Sequence, residues 1–215
     1  MKKIIFLGAG GNASVIYSTI IDINKSELKL EPLGFLDDNK KKFHDLKNFG
    51  KINNRNMNKL LKDPNIFFIW TLISSKFKKT YLKKLQKLKI PKKKFINIFH
   101  PQSNISNFSK IGKGVTIHAY ANIGPNTKIG DHVHIFSQAS IGHDTSVGNF
   151  SYLAGKSSLG ANITIAQGCF FGINSSVREN LKIKKWSTIG MGSVVINNVE
   201  EGSTVVGNPA KKIKG

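Results

Sequence analysis

From Ile105 onward the apolar positions of the chain fall on a six-residue beat: Ile105, Ile111, Ile117, Ile123, Ile129, Ile135, Ile141, Val147, Leu153, Leu159, Ile165, Phe171, Val177, Ile183, Ile189 and Val195. Glycine follows that position in eight of the sixteen units, and four residues after it comes mostly a small or β-branched side chain, as in Val115, Ala121, Thr127 and Val133. A period of six suits neither a 3.6-residue helix nor a plain two-residue strand alternation; it is the signature of a parallel β-helix built from hexapeptides. Each hexapeptide then forms one short flat side, with its apolar residue pointing to the axis and glycine or another small residue allowing the corner. If three sides close a coil, residues eighteen apart stack at the ~4.8 Å strand spacing. Three buried columns follow, headed by Ile105, Ile111 and Ile117, and the sixteen units make a little over five coils without an inserted loop.

The first hundred residues carry a different pattern. Apolar runs at 3–7, around PLGFLDD, at 66–71 and at 95–99 read as strands, with a helix beginning near Asn12 and an amphipathic, lysine-rich helix over 75–88. Alternating strands and helices predict a parallel sheet with covering helices. The turn Gly8-Ala9-Gly10-Gly11-Asn12-Ala13 fits G-x-G-x-x-A, which lets backbone approach a phosphate at a helix N-terminus. Asp37 and Asp38 follow the second strand, where acidic groups meet ribose or sugar hydroxyls. About four strands are too few for the two halves of a complete dinucleotide fold, so a single nucleotide or a nucleotide sugar fits the room better than NAD.

Composition narrows the partners. The 215 residues carry a formal charge of +21, with 22 basic against 7 acidic groups in residues 1–100 and 11 against 5 in 101–215. Yet only Arg55 and Arg178 are arginines, so bidentate reading of base edges is poorly provided for, and no lysine run is interleaved with stacking aromatics. The charge therefore predicts a lysine-rich surface that steers a small anionic substrate rather than a specific nucleic-acid face. The single cysteine, Cys169, allows no internal disulfide and no thiolate metal site, and no metal is expected. No stretch approaches the length of a membrane span and no signal peptide is evident, which together predict a cytoplasmic protein.

Hexapeptide repeats of this form resemble the left-handed β-helix of acyltransferases that use acetyl-CoA or a related thioester. With G-A-G-G at the start, F-L-D-D after strand two, G-H-D on one coil and V-V-G-N-P-A at the end, the whole chain is similar to a family of sugar acetyltransferases. That family includes sialic acid O-acetyltransferases and N-acetyltransferases of nucleotide-linked 4-amino-4,6-dideoxy sugars. The resemblance implies an α/β Rossmann-like domain over 1–100 that binds a nucleotide sugar, an all-β left-handed parallel β-helix over 101–199, and a tail over 200–215 at the acetyl-CoA site. It also implies a homotrimer with sites in the grooves between prisms, and a role in surface glycan or polysaccharide synthesis.

By the same resemblance His143 is the general base and Asp144 its orienting carboxylate, an imidazole being suited to take the proton of an attacking amine. Gly10, Gly11, Asn12, Asp37 and Asp38 match the nucleotide-sugar site; Tyr152, Ala161, Ile173 and Met191 match positions along the acetyl-CoA channel, and Lys211 with Lys212 would face CoA phosphates. Asn12 and Tyr152 stand where relatives place histidine, and Phe136 where a relative uses a polar residue. His44, His100, His118, His132 and His134 are expected at the surface. The expected activity is acetyl transfer from acetyl-CoA to a sugar amine; O-acetylation of a sialic acid-like sugar, a non-catalytic β-helical scaffold and nucleic-acid binding are the alternatives.

Overall fold

A strand of apolar residues, β1 (Lys2–Leu7), is the centre of the N-terminal sheet because its residues Ile4 to Leu7 are buried on both sides. The computed structural model describes residues 1–25 and 30–213, and these form two compact units, Met1–Pro101 and Gln102–Gly215. In the first unit β1 is flanked by β2 (Leu30–Leu36) and β4 (Ile66–Trp70), and β3 (Lys47–Asn48) extends the sheet to the order β3-β2-β1-β4. Every pairing is parallel. The β1–β2 register slips between Ile4 and Ile5, opposite Pro32 and Gly34; Pro32 has no N–H to give to the ladder, so the strand bulges past it. Helix α1 (Gly11–Asn24) places Ala13, Ile16, Ile20 and Ile23 on one face, packed with Phe6, Phe35 and Ile69 into the core of this unit.

The unit differs from the expectation in two places. The apolar run at 95–99 yields only the strand Ile98–Phe99 and a single bridge from Phe95 to Phe68, so the fourth member of the sheet is the unforeseen β3. Helix α2 (Asn54–Leu60) also went unread: its sequence NRNMNKL offers just Met57 and Leu60 to the interior, and its start is fixed by the Asn53 side chain accepting from the Asn56 N–H at 2.9 Å. Helix α3 (Lys78–Lys87) buries Leu82 and Leu85 and leaves its lysines outward.

The second unit is the left-handed β-helix, with three flat faces of two-residue strands. The first face stacks Asn104–Ile105, Asn122–Ile123, Ser140–Ile141, Ser158–Leu159, Ser176–Val177 and Val194–Val195. The second runs from Lys110–Ile111 through Ser146–Val147 to Lys182–Ile183, and the third from Thr116–Ile117 through Tyr152–Leu153 to Thr204–Val206, where an antiparallel strand, Lys211–Ile213, joins it. Partners are eighteen residues apart in all three faces from Asn104 to Val195, so the three columns anticipated from the spacing are the columns observed. From Val115 to Ser193 the residue two before each apolar position is also buried, and small side chains such as Ala121, Ser151 and Ser187 leave room for the larger one beside them.

Glycine plays a different part at the corners from the one expected. The left-handed conformation falls three residues after the apolar position, at Tyr120, Asn126, His132, Gln138, Asp144, Phe150, Lys156 and onward every six residues. The glycine that directly follows the apolar residue has ordinary φ; there a Cβ would strike the coil above. At Gly142 it would lie 2.6 Å from the carbonyl carbon of Gly160. Close stacking of successive corners, rather than a backbone turn, requires glycine at that place.

Candidate active site at a corner of the β-helix

His143 and Asp144 occupy the corner between the first and second faces, in the turn joining Ser140–Ile141 to Ser146–Val147. Asp144 is the left-handed residue of that corner, with φ 55°, and its N–H donates to the Pro125 carbonyl one coil below at 3.0 Å. His143 passes its own carbonyl to the Asn162 N–H one coil above at 2.9 Å. Backbone on both sides therefore fixes the pair, while the side chains stay accessible at 60% and 50% of their full exposure. His143 Nδ1 lies 2.6 Å from Asp144 Oδ2, and Asn126 Nδ2 donates to Asp144 Oδ1 at 3.1 Å. The imidazole contact, seconded by the asparagine, holds the Asp144 carboxyl below its ordinary value, so it is an anion facing Nδ1. With the proton on Nδ1, Nε2 is a free base pointing away from its partner.

The positions expected along a thioester channel divide among edges. Ala161 stands directly above His143 on the same edge, and among the described residues its N–H meets no acceptor. Ile173 and Met191 stack on the other edge of the first face, 54% and 76% exposed, joined by the Gly192 N–H donating to the Ile173 carbonyl at 2.9 Å. Tyr152 lies on the third face, which a three-sided prism sets opposite the His143 edge, so one chain does not bring the two together. Its ring sits between Phe136 and Phe170, with centroids 4.9 and 4.7 Å away, and burial pushes the phenol up to about 12, which keeps it a hydrogen-bond donor. Lys211 is exposed on the last strand, opposite Val206, and Lys212 follows it; residues 214 and 215 of the expected tail lie outside the described residues.

In the first unit Gly10 is the cap of α1 with φ −90°, and no side chain caps the helix. At Gly10 and Gly11 an added Cβ would meet nothing within 4 Å, so packing does not require glycine at either position. Gly8 is different, since its φ of +113° and the close side chains of Thr71 and Leu72 both demand glycine. The two acids after β2 are already engaged. Asp37 Oδ2 accepts from the Ala9 N–H and Oδ1 from those of Asn39 and Lys40, all at 2.8 Å. Burial alone would raise its carboxyl, but these three N–H donors outweigh burial and hold it below its ordinary value. Asp38 accepts from the Ile52 N–H at 3.0 Å and pairs with Lys84. Both acids thus brace the glycine turn and its neighbouring loop.

Four of the five histidines expected at the surface are buried. His134 hydrogen-bonds Thr116 Oγ1 through Nδ1 at 2.8 Å, His132 stacks on Phe150, His118 packs tilted against Phe136, and His100 meets Asp22 at 3.3 Å; His44 alone of the five is exposed. Burial, reinforced by the charges of His132 and His118, pushes His134 down to about 3. His118 and His132 are covered by aromatic rings one coil away and His134 lies on the third face beside Thr116, whereas His100 is covered within the first unit, where it meets Asp22. Asn126 is the site residue that sequence reading missed; its signal was the eighteen-residue offset from Asp144.

A parallel α/β unit with a glycine turn and a β-helix of hexapeptide coils with an exposed His-Asp corner define the architecture. Residues 3–85 match the PglD N-terminal domain and residues 108–136 the bacterial transferase hexapeptide repeats. Among solved structures the chain is similar to the acetyltransferase domain of PglB from Neisseria gonorrhoeae, at 20% identity and a TM-score of 0.82, covering 99% of this chain and 100% of that one. It is similar to PerB from Caulobacter crescentus, solved with CoA and GDP-perosamine, at 20% identity and a TM-score of 0.84 over 100% and 98% of the two chains. WeeI from Acinetobacter baumannii aligns at 20% identity and a TM-score of 0.80 over 99% and 100%. No curated protein matches the sequence. Among the described residues no helix is long and apolar enough to cross a membrane.

Proposed function

We propose that the chain is an acetyl-CoA-dependent N-acetyltransferase acting on the amino group of a nucleotide-linked 4-amino-4,6-dideoxy sugar. The observation that carries this reading is the His143–Asp144 corner, where an accessible imidazole is held by a carboxylate at Nδ1 with Nε2 free. The structural neighbour PerB, bound to CoA and GDP-perosamine, supports the substrate class. As the sugar amine attacks the thioester carbonyl, a C–N bond forms and Nε2 of His143 takes the amine proton. The C–S bond then breaks and the CoA thiolate leaves, to be protonated by the imidazolium. No acyl-enzyme is required. The Ala161 N–H, one coil above, is placed to hydrogen-bond the thioester oxygen as charge builds on it.

A complete channel needs more than one prism. His143 and Ala161 mark one edge of the first face, Ile173 and Met191 the other, and Tyr152 the opposite face; a homotrimer of parallel prisms would bring edges of neighbouring copies together around each thioester. The open N-terminus of α1 at Gly10, Gly11 and Asn12 would take the nucleotide phosphates, with Asp37 and Asp38 fixing the turn around them. Lys211 and Lys212 would meet the CoA phosphates. This chemistry suits a cytoplasmic step of surface-glycan or polysaccharide synthesis.

Release of free CoA thiol, measured against UDP-, dTDP-, GDP- and CMP-linked sugars, tests the reading. Turnover is expected on a 4-amino sugar nucleotide, with His143→Ala losing ~10²-fold or more of kcat/KM. Turnover confined to a nonulosonate hydroxyl would replace N- by O-acetylation, and an unchanged rate in His143→Ala would remove the general base. Light scattering of the eluted protein checks the trimer.

A further inference from the structure

The left-handed corner residues along the His143 edge run Asn126, Asp144, Asn162 and Asn180, with φ of 57°, 55°, 56° and 62°. Asparagine and aspartate both tolerate this conformation, so the turn alone would accept asparagine in every coil. Where asparagines adjoin, the side-chain amide of one coil feeds the carbonyl of the next: Asn162 Nδ2 donates to Asn180 Oδ1 at 2.6 Å. Asp144 interrupts this row. A carboxylate has no N–H to pass upward, so it only accepts, from Asn126 Nδ2 on Oδ1 and from His143 Nδ1 on Oδ2. The orientation of the Asn126 amide is thereby fixed by chemistry, because its nitrogen and not its oxygen must face the anion.

Resting on the transferase reading above, we propose that Asn126 is a positioning residue for the general base: it tethers one oxygen of Asp144 so that the other faces Nδ1 of His143 and the proton stays on Nδ1. Both members of the pair are half exposed or more, and the places directly below and above His143 on this edge are Pro125 and Ala161, neither of which can orient an imidazole. Asp144 is the charged group at the ring, and among the described residues Asn126 is the side chain that holds that carboxylate besides His143 itself. Without the amide, the carboxylate is free to turn toward solvent and the imidazole can carry its proton on Nε2, the form that cannot accept one from the amine.

Two variants separate the tether from the turn. Asn126→Gly keeps the left-handed corner and removes the donor; Asn126→Asp keeps the shape and sets a second carboxylate against Asp144. Each is expected to lower kcat about 10-fold, a part of the ~10²-fold or more at stake in the general base, with KM for acetyl-CoA within about twofold of wild type. In Asn126→Asp the acid limb of the pH–rate profile should move up by ~0.5–1 unit, because added negative charge favours the imidazolium. Both effects should vanish in a His143→Ala background, since the residue acts through His143. Unchanged kcat and superimposed pH profiles, or equal losses without His143, overturn the proposal. Spectra of the full chain labelled with 15N-histidine read the His143 tautomer without turnover: the Nδ1-protonated form is expected in wild type, with a mixture in Asn126→Gly. An unchanged tautomer ratio overturns the tether; absence of CoA release by the wild-type chain, with the tautomer change intact, overturns only the transferase reading.

Discussion

Asp144 in the β-helix and Asp37 in the α/β unit are both acids held below their ordinary protonation range, and they do opposite things. Asp37 is ringed by three backbone N–H groups from two loops and is spent on architecture. Asp144 receives one amide and gives its remaining oxygen to an exposed imidazole. A depressed carboxyl is therefore no guide to function by itself: backbone donors hold Asp37 in its loops, whereas Asp144 faces an imidazole open to solvent.

The sharpest break of this comparison is the exchange of each acid for its amide. Asp144→Asn fits the corner as its asparagine neighbours do, so melting should be unchanged while kcat/KM falls by ~10- to 100-fold, the range of a lost partner to a general base. Loss of fold rather than rate would put Asp144 with Asp37. Next in size is the contrast between two glycines. Gly142→Ala forces a Cβ against Gly160 and should cost about 1–3 kcal/mol in denaturant titration. Gly10→Ala meets no protein atom and should cost less, at most ~1 kcal/mol from the N-cap preference for glycine over alanine, while raising KM for the nucleotide sugar several-fold; equal melting losses in both would show that the helix start is packed rather than open.

The smallest expected effects are in pH dependence. Because the folded Asp37 carboxyl is depressed, its stabilisation is full above the unfolded value of about 3.9 and is lost as pH falls through its lower folded value. Asp37→Asn should accordingly lower the melting temperature by a few degrees near neutrality, with the gap to wild type closing at acid pH. His134 has the other sign of charge: neutral in the fold and protonated when unfolded, it should make stability decline as pH drops from about 6.5 toward its folded value of about 3. A His134→Gln variant should flatten that slope by up to one proton, read from melting curves across the range, and an identical slope would mean that His134 is hydrated in solution.

Legibility differed between the halves for a physical reason. In the β-helix a residue's surroundings repeat with the coil, so period and spacing sufficed to place Ile141 inward and to set His143 and Asp144 together at a corner. They did not separate the glycine needed for close stacking from the left-handed residue two places later, because both lie in the same turn. Nor did they foretell that His118, His132 and His134 would be covered, since that depends on which side chains the neighbouring coils set beside each ring. In the α/β unit the strongly apolar β1 and β4 were plain, while β3 and α2 carried too few buried side chains to leave a pattern.

Sequence by itself determined the hexapeptide repeat, the three columns and the chemistry present at residues 143 and 144, because these follow from local spacing and residue type. Only tertiary structure decided which groups were left free to act: Asp37 and Asp38 already engaged by backbone N–H groups, Tyr152 set on a different face from His143, and Asn126 brought under Asp144. Hydrogen-bond partners are chosen by residues distant in the chain, and an acid's role depends on those partners.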